Sequence, residues 1–93
     1  MEKPKYRKTY VPVNVYFDIE GRMLPRSLIW RDGHEYELGK VKDIQQAAAL
    51  KAGGQGDRYT LIRRGVERHI FFEHNAEYGH RNVGRWFVEE RIE

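Results

Sequence analysis

Val11, Val13, Val15 and Phe17 alternate with Pro12, Asn14, Tyr16 and Asp18. Trp86, Val88 and Ile92 alternate in the same way with Arg85, Phe87, Glu89 and Arg91. A two-residue period puts one set of side chains on one face of a pleated strand and the other set on the opposite face. Read along the chain, the pattern predicts strands over residues 10–18, 23–30, 34–44, 58–63, 66–74 and 85–92.

The segments between them carry turn chemistry. Asp18-Ile19-Glu20-Gly21 reads as a turn with Gly21 at positive φ. Asp32-Gly33 reads as a type I′ hairpin and Arg64-Gly65 as a second tight turn. Pro25 cannot donate to a ladder, so its strand is expected at a sheet edge, or to start after the proline. Gly39 marks a bulge or bend. The alternation stops at Gln45 to Ala52, where good helix formers are too few to hold a helix on propensity alone. At most one short helical turn is expected near 45–52, followed by a Gly-rich connector. The expected fold is all-β: a small antiparallel barrel or strongly curled sheet of five to six strands, of SH3-like size. An open sheet with one helix is the alternative. Closure would hide edges that short strands otherwise expose.

A chain of 93 residues makes one domain, here read as a flexible basic tail over 1–9 and a single β domain over 10–93. With no cysteine there is neither a disulfide nor a thiolate metal site. The N-terminus lacks the apolar core of a signal peptide, and no apolar run approaches the length of a membrane span. A soluble, cytoplasmic protein with no membrane partner is expected. The net charge of +3 belongs to the first ten residues, where Lys3, Lys5, Arg7 and Lys8 face one anion. The remainder is neutral overall, which weakens the step from a high pI to nucleic acid, since that step needs clustered cations.

Catalytic and metal chemistry find little support. The Gly-rich stretch 52–57 is followed by a strand and lacks the Lys-Ser/Thr pair of a phosphate loop, so it reads as a connector. His34, His69, His74 and His80 are too widely spaced for a zinc site, and His69 and His74 have opposite parity on one strand. Glu35 and Glu37 share the spacing of any solvated strand face. No nucleophile–base order appears. No catalytic residue, metal ligand or cofactor is assigned, and the chain is read as a non-enzyme.

The functional lead is a mixture of arginine and aromatic residues: Arg58, Tyr59, Arg63, Arg64, Arg68, His69 and Phe71 fall on one predicted hairpin. Small β domains bind single strands by stacking bases on aromatics while cations follow the backbone. Lys3, Lys5, Arg7, Lys8, Arg58, Arg63, Arg64, Arg68 and Phe71 are therefore the candidate residues for weak nucleic-acid binding. Against this, Tyr59, Leu61 and one of Phe71 or Phe72 must fill the core, and Arg64 can pair with Glu67 across the hairpin. The adjacent Phe71 and Phe72 send one ring away from the main core, under the 75–84 loop, into a dimer interface or onto a ligand face. Trp30 and Trp86 read as core or plug residues. The alternative function is a protein-interaction or self-association module using an edge strand or the outward phenylalanine.

The segment from Tyr10 to Trp30, with Arg58-Tyr-Thr-Leu-Ile62 and Arg85-Trp-Phe-Val-Glu89, resembles a family of small uncharacterised bacterial β-domain proteins. Genes for that family can lie near those of error-prone polymerases. The resemblance spans about residues 10–90 and implies a compact β domain with a tilt toward DNA metabolism. It supplies no catalytic residue, and the Ala/Gly-rich stretch 47–56 and the basic tail depart from its pattern.

Overall fold

The computed structural model describes residues 3–48, 55–74 and 83–92. All regular structure among them is strand: β1 (Tyr6–Tyr10), β2 (Val13–Phe17), β3 (Met23–Ile29), β4 (Glu35–Glu37), β5 (Lys40–Ala48), β6 (Gln55–Arg63), β7 (Val66–His74) and β8 (Gly84–Arg91). They form two antiparallel sheets, a larger one in the order β1-β8-β7-β6-β5 and a smaller one in the order β2-β3-β4. Neither sheet closes on itself among the described residues, so the arrangement is two open layers rather than one ring of strands. None of the described residues forms a helix long and apolar enough to cross a membrane.

The extra strands arise where the chain passes between layers. The predicted strand 10–18 divides at Val11-Pro12. Val11 N–H still donates to Trp86 O in the larger sheet at 3.1 Å, while Pro12 O accepts from Ile29 N–H in the smaller one at 3.0 Å. The proline has no N–H to lose at the crossing. The predicted strand 34–44 divides at Leu38-Gly39, where the chain returns. Gly39 takes φ +87°, and a Cβ there would lie 2.2 Å from Ile62 O. Only glycine fits so close a backbone approach.

Four other expectations are corrected. Residues 6–9 belong to a strand and not to a tail, because Tyr6 to Tyr10 pair with Arg91 to Phe87. Residues 45–48 continue β5, since pairing with β6 satisfies their backbone groups and outweighs helix propensity; residues 49–52 lie outside the described residues. The 31–34 connection is not type I′. Gly33 is at φ +88° and Asp32 is not at positive φ, while Gly33 N–H bonds Trp30 O and Trp30 N–H bonds His34 O, both at 2.9 Å. That is a type I turn closed by a glycine bulge. The Asp18–Gly21 turn is built alike. Pro25, opposite Val15 at a bulge in β2, sits in the middle strand of the smaller sheet; β4 pairs only with Ser27 to Ile29, so no ladder bond is asked of its nitrogen on that side.

The main core lies between the layers. Tyr59, Leu61, Ile70, Phe72 and Trp86 of the larger sheet meet Val11, Leu28 and Leu38, with Val13, Val15, Met23, Trp30, Val41 and Val88 packed around them. Both adjacent phenylalanines are buried, on opposite faces. Phe72 joins the core beside Trp86, ring centroids 4.9 Å apart. Phe71 stacks on Phe87 at 5.0 Å across the other face, leaving 2% and 0% of the two residues exposed.

Candidate functional site

The β6–β7 hairpin register decides where its arginines go. Arg63 opposes Val66 and Arg68 opposes Leu61. Leu61 faces the core, so Arg63, Val66 and Arg68 extend that same face toward the hairpin end. They emerge beside Leu28, Trp30, Tyr36 and Leu38 and line a groove of about 490 Å³ between the layers, with Arg64 at the turn. Tyr36 is 49% exposed. Trp30 is half-buried and carries the Arg31 guanidinium over its ring at 4.5 Å.

The charges of the groove are unevenly matched. Arg63 has a long ion pair with Glu37 at 3.8 Å. Glu67, the partner expected for Arg64, is taken instead by Lys42; that contact holds the Glu67 carboxyl below its ordinary range and raises Lys42. Arg64 and Arg68 make no ion pair or side-chain hydrogen bond among the described residues. Arg64 is also the single non-glycine among the described residues with positive φ, at +53°. With Gly65 at +77° it forms the tight turn that its sequence predicts, and the two positive φ angles make it type I′. An L-residue other than Gly, Asn or Asp is held there at a cost of about 1–2 kcal/mol.

The other candidate residues fall elsewhere. Lys3 is exposed ahead of β1. Lys5 O accepts from Ile92 N–H at 2.9 Å, which ties the start of β1 to the end of β8. Arg7 pairs with Glu90 at 3.2 Å and Lys8 with Glu73 at 3.0 Å, so these cations are committed inside the fold. Glu90 also receives Thr9 Oγ1 at 2.7 Å and Arg31 Nη2 at 2.6 Å. Hydrogen bonds from Thr9 first, then Arg31, hold its carboxyl at about 2. Burial pushes Glu73 up, but Lys8, Tyr10 and Arg85 together bring it below its ordinary range. Arg58 lies opposite Phe71 on the larger sheet's other face and donates to Gln45 at 3.0 Å; its Nε is buried without a hydrogen-bond partner. Phe71 is closed off by Phe87 and presents no ring to a base. The 75–82 part of the loop expected to cover it lies outside the described residues.

The histidines serve local contacts: His34 with Asp32, His69 with Thr60 and His74 with Asp57; His80 lies outside the described residues. No group of three His, Cys, Asp or Glu is placed to hold a metal among the described residues. Glu35 accepts hydrogen bonds from Ser27 and Asn14 at 2.6 and 3.0 Å. Trp30 and Tyr36 are the aromatic groove residues, and sequence reading did not single them out for a ligand. Their alternation marks them as strand residues, and nothing local shows that β4 comes to face the β6–β7 hairpin.

The arrangement offers two guanidiniums, those of Arg64 and Arg68, without carboxylate partners among the described residues, beside a half-exposed phenol ring and an apolar floor. Such a groove suits a ligand that joins anionic oxygens to flat apolar surfaces. No family model, no curated protein and no solved structure matches this chain.

Proposed function

We propose that the protein is a non-catalytic module binding single-stranded nucleic acid weakly and with little sequence preference, through the Arg63–Arg64–Arg68 groove. The observation that carries this reading is that Arg64 and Arg68, which have no ion pair or side-chain hydrogen bond among the described residues, share one groove with Tyr36, whereas Arg7, Lys8, Lys42 and Arg85 are each held by a carboxylate. Guanidinium forks bind phosphate bidentately and Tyr36 supplies the stacking surface. The role first given to Phe71 passes to Tyr36, and the basic N-terminal residues are not needed. The resemblance to bacterial β domains encoded near error-prone polymerases tilts the ligand toward DNA.

Fluorescence anisotropy with a labelled mixed-sequence single strand tests the reading. Binding is expected to weaken steeply with salt, and Arg64→Ala and Arg68→Ala each to lower the slope of log K against log salt by about 0.7. Tyr36→Ala should cost about 1–3 kcal/mol of affinity. Binding that ignores salt, or that survives all three substitutions, overturns it.

A protein partner is the second reading, favoured by the β2–β3 tip. Phe17 is 63% exposed and Ile19 fully so, on a turn that Asp18 Oδ1 locks by accepting the N–H groups of Glu20 and Arg22 at 2.9 and 2.8 Å. Ordered apolar groups held in water mark interaction surfaces. No single-strand binding by wild type, together with a protein cross-link at the tip that is lost in Phe17→Ser/Ile19→Ser and retained in Arg64→Ala/Arg68→Ala, would favour this second reading.

A further inference from the structure

A second cleft lies on the far side of the Leu38-Gly39 crossing. Its volume is about 550 Å³, and Arg22, Arg26, Lys40 and Lys42 line it together with Asp43. Two of these cations are spoken for. Arg22 donates to Asp18 at 2.6 Å, and Lys42 pairs with Glu67. Arg26 and Lys40 have no carboxylate partner among the described residues. The Arg26 guanidinium lies over the Tyr16 ring at 4.7 Å. A cation–π contact uses the guanidinium face and leaves its edge N–H donors free to bind an oxyanion.

The two clefts share one wall. Leu38 N–H donates to Arg26 O at 2.9 Å, which sets Arg26 directly against the crossing. Glu37 and Leu38 line the first groove, and Gly39 and Lys40 line the second. Lys40 in turn pairs in register with Ile62, the residue before Arg63. The unpartnered cations thus flank a crossing of only a few residues: Arg64 and Arg68 on one side, Arg26 and Lys40 on the other.

We propose that Arg26 and Lys40 form a second phosphate subsite, so that one single strand runs from the Tyr36 groove over the Leu38-Gly39 crossing into the second cleft. This rests on the reading of the first groove given above. Each cleft has the volume of a small-ligand site, suited to one or two nucleotides. A flexible strand can bend over the crossing and place a base on Tyr36, which a stacked duplex cannot do without opening.

A series of oligothymidylates of two to eight nucleotides, bound to the full chain, tests the inference. Wild-type affinity is expected to climb with length until both clefts are filled. In Arg26→Ala/Lys40→Ala that climb should flatten, and the salt slope for the longest strand should fall by about 1.4, as two phosphate contacts go. Lys40→Gln alone, which leaves the Arg26–Tyr16 packing intact, should lower the slope by about 0.7. Wild-type length dependence and slope in these variants overturn the second subsite, while a loss on Arg64→Ala/Arg68→Ala in the same series keeps the first reading standing. No binding by wild type, or equal affinity for a duplex of the same length, overturns both.

Discussion

Arg64 shows how one residue can trade stability against a site. A type I′ turn asks for Asn or Gly at the position Arg64 occupies. Arg64→Asn is expected to raise the chemical-denaturation stability by about 0.5–1 kcal/mol, because it relieves left-handed strain. The same variant should bind single strands less tightly than wild type. An Arg64→Asn protein that is both destabilised and unchanged in binding would show that the guanidinium is retained for packing. Glu90 presents the converse case of a charge committed to the fold. Thr9, Arg31 and Arg7 converge on it, joining β1, β8 and the start of the 31–34 turn. Its folded value of about 2 lies below the ordinary 4.5. The stabilisation is therefore complete above the ordinary value and is lost as pH falls toward 2. Urea midpoints of wild type should decline through that acid window, and those of Glu90→Gln should decline less from a lower start. Parallel curves would remove Glu90 from the acid response.

At the level of elements, two short crossings set the geometry. β1 is held to β8 by backbone pairing and by the Glu73 and Glu90 clusters, then delivers β2 into the second layer through Val11-Pro12. Gly39 brings the chain back. A side chain there meets Ile62 O and the Arg63 Cβ, and must also adopt φ +87°. Gly39→Ala is expected to cost at least about 2 kcal/mol, with strain and collision adding. Thermal denaturation by circular dichroism would measure it, and a wild-type midpoint would mean that the crossing relaxes freely. Because the crossing also forms the wall between the two clefts, this substitution should disturb binding beyond its effect on folding.

At the scale of the whole molecule, the four sheet edges among the described residues explain why pairing between copies is not the favoured reading. β4 is three residues long with two glutamates, and β1 is five residues long. β2 has a bulge at Asn14/Val15 and Pro12 before it. β5 carries Lys40 and Lys42 with a bulge between Val41 and Asp43. Short length, edge charge, proline and bulges all block strand addition. Sedimentation equilibrium is expected to show a monomer over a wide concentration range. A concentration-dependent dimer abolished by substitutions in β5 would reverse this conclusion.

The sequence by itself determined the all-β class, most strand positions and the sites of the tight turns, because a period of two and the backbone needs of Gly21 and Gly65 are local properties. It placed Tyr59, Leu61 and Trp86 in the core for the same reason. It also brought Arg63, Arg64 and Arg68 forward as one cluster, since they share a hairpin. Only the tertiary structure decided the rest. The basic residues 7 and 8 looked free in a list of charges, but Glu73 and Glu90, more than sixty positions away, neutralise them. Phe71 looked like a platform, but it is buried at 2% exposure and stacks on Phe87 of the neighbouring strand. Tyr36, Arg26 and Lys40 gained significance when two layers came together at a crossing that local pattern reads as a mere bend. Alternation tells which face a side chain takes. What that face meets depends on pairings between distant segments, whose strength comes from buried area and charge matched in space.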